Sequence, residues 1–257
     1  MKQVRVYADL EAASEAASGL AHDAIRDALA AGRGPVVALS GGGTPRETYR
    51  MLARAILDDA VPVDRILWLF GDERWVPRGH ARSNEGMARE TLLGPIRAPA
   101  STIASWEPGE GDPVEAAGRY REWTERARTR AAGRPDLILL GLGADGHTAS
   151  LFPGATAHIR GLEAMPVAAG LPGDTAAVYL SGGREWRLTL CPVFMNDARR
   201  VIFLVAGADK TAALRRVLDG DPQLPGSWVR GGETLFLATA DALGPGREDY
   251  RGDARFA

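Results

Sequence analysis

Short apolar runs alternate along this chain with longer stretches of helical period. Val4-Arg-Val-Tyr7 alternates apolar and polar positions and predicts a short strand. Leu10 to Ala31 is alanine-rich, with Leu20, Ala24, Ile25, Ala28 and Leu29 spaced for one helix face, and Gly32 to Pro35 breaks it. Val36 to Leu39 predicts a buried strand, and Ser40-Gly-Gly-Gly-Thr-Pro45 a glycine loop. The next helix is expected to bury Tyr49, Leu52, Ala53 and Ile56. Thr44 would be its N-cap, Pro45 its first residue, and Glu47 would complete a capping box.

Ile66 to Phe70 predicts the next strand, followed by Gly71-Asp-Glu-Arg-Trp-Val-Pro77. Ser83 or Asn84 can cap a helix through Leu93; residues 102–106 predict a strand and 113–132 a helix. Leu137 to Leu140 predicts a buried strand that glycines then stop, and 154–172 carries no clear pattern. Strands are expected over 176–180, 201–205 and 235–239, with helices over 189–197 and 210–218. This alternation predicts an α/β fold: an open, mostly parallel, doubly wound, Rossmann-like sheet with helices on both faces. Without an internal repeat or linker, a single domain over 1–243 is expected, with a polar, mobile tail over 244–257.

Composition narrows the function. With 257 residues, 45% apolar and 25% charged, the chain can bury a core without staples. A net charge of −2 offers no attraction to nucleic acid or an anionic membrane, so neither is expected as a partner. The longest apolar run, Val201 to Ala206, is far short of the ~20 residues a membrane span needs. No signal-like segment opens the sequence, and a cytoplasmic monomer or small homo-oligomer is expected. The single cysteine, Cys191, excludes an internal disulfide and reads as a small buried side chain. The histidines show no metal-ligand spacing, so no metal and no cofactor is expected. His22, His80 and His158 are expected at the surface.

Candidate chemistry gathers after the strands, at the carboxyl ends where parallel sheets bind ligands. Ser40 to Pro45 offers backbone N–H groups and a helix start, the makings of an anion site, although no Gly-Lys-Ser/Thr follows to make it a P-loop. Asp72-Glu-Arg74 follows a strand directly: Arg74 can hold a phosphate or carboxylate, oriented by an acid beside it. Gly141-x-Gly-x-x-Gly146 matches the dinucleotide fingerprint formally. His147 follows it at once and Pro153 interrupts within two turns, which argues against a nicotinamide dinucleotide. A histidine titrates near neutrality, so His147 can act as a base, and Asp145 can orient its ring or stabilise its charged form. Lys210 at a helix start opposes the dipole and asks for an anionic partner. Arg187, ahead of the helix expected at 189–197, is a second candidate phosphate ligand. These clusters predict one sugar-phosphate pocket.

Together, Ser40-Gly-Gly-Gly-Thr-Pro45, Gly71-Asp-Glu-Arg-Trp-Val-Pro77 with Ser83-Asn84, and Gly141-Leu-Gly-Ala-Asp-Gly-His-Thr-Ala-Ser-Leu-Phe-Pro153 resemble the glucosamine-6-phosphate isomerase/6-phosphogluconolactonase family, lactonase branch. Arg187-Leu-Thr189, Asn196 and Gly207-x-x-Lys210 extend the resemblance in the family's order. It implies hydrolysis of 6-phospho-D-glucono-1,5-lactone to 6-phosphogluconate, in the oxidative branch of the pentose phosphate pathway. His147 matches the general base and Asp145 its carboxylate. Arg74 and Lys210 match residues that hold the phosphate or stabilise oxyanion charge, with Gly42, Gly43 and Thr44 as backbone phosphate ligands. Asp72 and Arg187 complete the implied substrate contacts. The sequence departs from the family at Cys191-Pro192 and fits it loosely over 154–175. The competing readings are a glucosamine-6-phosphate deaminase, expected to carry a different acidic motif after the third strand, and a non-catalytic sugar-phosphate sensor.

Overall fold

The computed structural model describes residues 2–109 and 111–246. Its first half runs β1 (Lys2–Tyr7), α1 (Leu10–Ala30), β2 (Val36–Leu39), α2 (Arg46–Asp58), β3 (Leu67–Phe70), β4 (Asp72–Arg74), α3 (Asn84–Ala88) and α4 (Pro113–Arg130). The second runs β5 (Leu137–Leu140), β6 (Thr156–His158), β7 (Met165–Pro166), β8 (Thr175–Leu180), β9 (Glu185–Leu190), α5 (Pro192–Asp197), β10 (Arg200–Val205), α6 (Thr211–Leu218), β11 (Glu233–Thr239) and α7 (Ala240–Leu243).

Six strands form the expected parallel sheet, flanked by helices, in the order β1-β11-β10-β5-β2-β3. β2, β3 and β5 are buried at every position, as strands covered on both faces must be. Phe203 and Phe236 sit in register on neighbouring strands and stack with centroids 4.5 Å apart. The strand order reverses at β2: β3 adds on one side, whereas β5, β10 and β11 follow on the other. Loops leaving β2 and β5 therefore diverge, and a switch point of this kind opens a crevice at the carboxyl ends.

A second, antiparallel sheet, β4-β9-β8-β6-β7, departs from the expected architecture. The strand predicted over 176–180 joins this sheet as β8, and two of its strands come from the stretch that carried no clear pattern. Glu185-Trp-Arg-Leu-Thr-Leu190 alternates polar and apolar residues and forms β9, so the helix expected from 189 waits until Pro192, which suits a first helical position. No strand forms over 102–106; a 3-10 turn, Ala100–Thr102, leads to a lone parallel bridge between Ile103 and Trp68. Trp106, stacked on Tyr120 at 3.5 Å, holds that segment by its side chain.

Caps differ in instructive ways. Ser83 caps α3, its Oγ accepting the Gly86 N–H at 3.0 Å, and the chain runs on into a π-helical turn over Arg89–Leu93. The capping box expected at α2 is absent: Pro45 occupies the N-cap without a side-chain hydrogen bond, and Glu47 pairs with Arg50 at 3.0 Å. Cys191 is buried, and burial pushes its thiol up to about 12, as a structural cysteine requires. Two histidines are not at the surface: His22 is buried 3.5 Å from Asp59, and His158 is half-buried against Trp186. No helix among the described residues is long and apolar enough to cross a membrane. From residue 247 onward the tail lies outside the described residues.

Candidate active site

The crevice at the switch point is a cleft open to solvent. Segments after β2, β3, β5 and β10 line it, which is why four distant stretches of sequence meet there.

After β2 the chain turns at Gly42, whose φ of +87° strains any residue with a Cβ. Gly41 is needed for another reason: a Cβ there would lie 1.8 Å from Asn84 Oδ1. Thr44 and Pro45 bring the start of α2 to the cleft. The Arg46 N–H donates to the Gly43 carbonyl at 3.3 Å, and with no side-chain cap the next N–H groups of the helix keep their capacity for an anion.

After β5 the loop folds upon itself. The Gly143 N–H donates to the His147 carbonyl at 2.8 Å, and the Gly146 N–H donates to the Gly143 carbonyl at 3.0 Å. A Cβ on Gly143 would lie 2.0 Å from His147 Nδ1, so this glycine exists to let the imidazole lie over it. No helix opens after Gly146, unlike a dinucleotide fold. The His147 ring stacks on Phe152, centroids 4.1 Å apart, and its Nδ1 lies 2.5 Å from Asp145 Oδ1. Burial would raise the Asp145 carboxyl, but the His147 N–H, the imidazolium charge and the ring hydrogen bond outweigh it and hold it below the usual range. An anionic Asp145 accepts the Nδ1 proton, which assigns the lone pair to Nε2.

β4 supplies Asp72, Glu73 and Arg74, with alternate residues on opposite faces. The Asp72 carboxylate accepts Ser150 Oγ at 2.6 Å and Asn84 Nδ2 at 3.1 Å. Glu73 is fully buried and accepts the backbone N–H groups of Asn84 and Glu85, both at 2.8 Å, pinning the start of α3. Burial raises its carboxyl, and these N–H groups offset only part of that. Arg74 lines the cleft and donates Nη1 to the Arg82 carbonyl at 2.7 Å. Arg187 is paired across from Arg74 on β9, rather than ahead of a helix, and donates to Glu185 at 2.5 Å. Lys210 lines the cleft beyond Gly207, whose φ is +102°, and pairs with Asp209 at 2.9 Å.

The cleft thus brings together Gly42, Thr44, Asp72, Arg74, His147 and Lys210. Asp145 stands behind His147, while Gly43 and Arg187 lie outside the lining. Asn84, Ser150 and Glu73 were not singled out as site residues by sequence reasoning, although all three sit inside the quoted motifs. Among the described residues, no group of three or more His, Cys, Asp or Glu side chains is arranged to hold a metal.

The family model for glucosamine-6-phosphate isomerases/6-phosphogluconolactonase matches residues 8–237. The chain belongs to this family. A family member from Synechocystis, named 6-phosphogluconolactonase, is 38% identical over 213 residues, covering 80% of this chain and 82% of its own. The solved 6-phosphogluconolactonase from Trypanosoma cruzi superposes with a TM-score of 0.76 at 27% identity, over 93% of this chain and 94% of its own. A monomeric glucosamine-6-phosphate deaminase superposes as well, with a TM-score of 0.78 over 94% of this chain and 100% of its own, but at 20% identity. That last likeness speaks for the family fold alone, so the fold does not separate the two chemistries.

Proposed function

We propose that the chain hydrolyses 6-phospho-D-glucono-1,5-lactone to 6-phospho-D-gluconate, with His147 as the general base. The observation that carries this reading is the Asp145–His147 pair, set in a cleft that also holds Arg74, Lys210 and the uncapped start of α2. The sequence relatives named 6-phosphogluconolactonase support the same substrate.

In the proposed reaction a water molecule passes a proton to His147 Nε2 as its oxygen bonds to the lactone carbonyl carbon. Asp145, accepting from Nδ1, stabilises the imidazolium. As the carbon–ring oxygen bond breaks, the imidazolium returns the proton to the departing ring oxygen, giving the carboxylic acid and the free hydroxyl. Nothing is oxidised, and a lactone is activated enough that a positioned base and charge stabilisation suffice. Arg74 and Lys210 supply positive charge for the phosphate and the developing oxyanion, and Gly42, Thr44 and the α2 start add backbone donors. Arg187 lies outside the cleft lining and Asp72 already accepts two protein donors, so neither is assigned to the phosphate. The family match over 8–237 supports reading 1–243 as one functional domain. The reaction belongs to the pentose phosphate pathway, in the cytoplasm.

The test uses lactone generated freshly from glucose 6-phosphate by its dehydrogenase, with ammonia release from glucosamine 6-phosphate assayed in parallel. Acceleration over the spontaneous rate without ammonia is the expected result. Ammonia release would install deamination instead. Sugar-phosphate binding without either reaction would make the chain a sensor.

A further inference from the structure

Asp72 touches both halves of the cleft. From the β5 side, Ser150 donates its Oγ to Asp72 Oδ2 at 2.6 Å, three residues past His147. From the α3 side, Asn84 donates Nδ2 to the Asp72 carbonyl at 2.9 Å and to Oδ1 at 3.1 Å. With Nδ2 facing two acceptors, the Asn84 Oδ1 is turned to Gly41, in the space a Cβ would need. Asn84 is itself fixed by buried Glu73, which accepts its backbone N–H. Ser150 and Asn84 are 0% and 1% exposed, so no ligand replaces these contacts. Ala149, between His147 and Ser150, has a φ of +47°, a conformation that needs anchors on both sides. Thr148 bonded to the Gly141 carbonyl at 2.9 Å and Ser150 bonded to Asp72 supply them.

We propose that Ser150 and Asn84 are positioning residues with divided roles: through Asp72, Ser150 sets the height of the His147 base, whereas Asn84 sets the glycine loop that holds the phosphate. This rests on the lactonase reading above. A carboxylate beside a phosphate would repel it, so Asp72, with both oxygens engaged by protein donors, makes better sense as a structural junction than as a phosphate ligand. Ser150 and Asn84 take separate oxygens of the junction, and Asn84 meets the glycine loop by packing on Gly41, so removing one contact leaves the other.

The experiment compares Ser150→Ala and Asn84→Ala with the wild type in kcat, KM, melting temperature and affinity for inorganic phosphate. Ser150→Ala is expected to lower kcat about a hundredfold, the cost of a base misplaced by an ångström, with KM held within about threefold. Asn84→Ala is expected to raise KM and weaken phosphate binding about tenfold, with kcat nearly unchanged. Gly41→Ala presses on the same amide from the loop side and should repeat the Asn84 result, which covers the case in which Asn84→Ala folds poorly. Equal changes in kcat and KM for both tethers, tracking the melting temperature, would reduce them to ordinary packing and overturn the proposal. If the wild type fails to accelerate lactone hydrolysis, the lactonase reading falls, and phosphate affinity decides the Asn84 tether alone: unchanged binding in both Asn84→Ala and Gly41→Ala rejects it.

Discussion

Nδ1 of His147 lies 2.5 Å from the carboxylate of Asp145, only two residues earlier in the chain. A spacing that short closes only because the loop between them reverses on Gly146, whose φ is +83°, and because Gly143 leaves room beneath the ring. The pair sets the tautomer and charge of the proposed base. Asp145→Asn is therefore expected to lower kcat about a hundredfold or more. Steady-state kinetics on the variant check it; an unchanged kcat would take Asp145 out of the pair.

His147→Ala should reduce turnover to the background rate while 6-phosphogluconate binding persists. The reason is geometric: Arg74, Lys210 and the α2 start owe nothing to the imidazole for their positions. Calorimetric titration with product, beside the lactone assay, separates the two. A variant retaining near-normal rate would remove His147 from the base role.

Two glycines of one motif should behave oppositely. Gly143→Ala drives a Cβ to 2.0 Å from Nδ1 and 2.6 Å from Asp145 Oδ1, so ring and carboxylate must part. We expect a loss of about 1–3 kcal/mol of stability, as overpacking costs, together with most of the activity. A Cβ on Gly141 meets nothing within 4 Å, and Gly141→Ala should melt with the wild type. Thermal melts of the two proteins decide it.

The cations divide by position. Arg74 and Lys210 line the cleft, and substituting either by Ala should raise KM about tenfold or more, since each removes a charge-assisted contact to an anion. Arg187 pairs with Glu185, which Arg82 shares, and stands outside the lining, so Arg187→Ala should raise KM less than Arg74→Ala does. Steady-state kinetics at fixed ionic strength give the ranking; unchanged KM in both Arg74→Ala and Lys210→Ala would mean the phosphate sits elsewhere.

Acid sensitivity should come in part from Asp174, away from the cleft. Burial alone would raise its carboxyl, but hydrogen bonds from Arg128 and Thr124 outweigh it and hold it below the usual range. A carboxyl depressed in the folded state contributes stability that is fully present above the unfolded-state value of about 3.9 and is lost as pH falls through the folded value. Arg128→Ala strands this buried carboxylate at a cost of about 3 kcal/mol. It should also shrink the stability change between neutral and acid pH, with KM unchanged. Denaturant titrations at several pH values measure both effects.

The parallel sheet was legible in the sequence because its strands are uninterrupted apolar runs: Val36 to Leu39, Leu67 to Phe70 and Leu137 to Leu140 are buried at every position, a local property that composition alone announces. The cleft was legible for the same reason, since polar residues directly after such strands must collect at one edge. The antiparallel sheet was not. Its strands β6 and β7 are 3 and 2 residues long, too short to show a period, and Glu185 to Leu190 alternates in a way that competes with a helix reading across Pro192.

Nearest-neighbour chemistry along the chain thus sufficed for Asp145 and His147, which meet across a single glycine turn. Contacts between residues far apart in sequence did not announce themselves. That Ser150 reaches Asp72 across 78 positions, that Asn84 fills the space beside Gly41, and that Arg187 is claimed by Glu185 rather than by the cleft follow from strand order and register. Those are settled by burying many apolar side chains at once, a collective packing requirement that no single motif encodes.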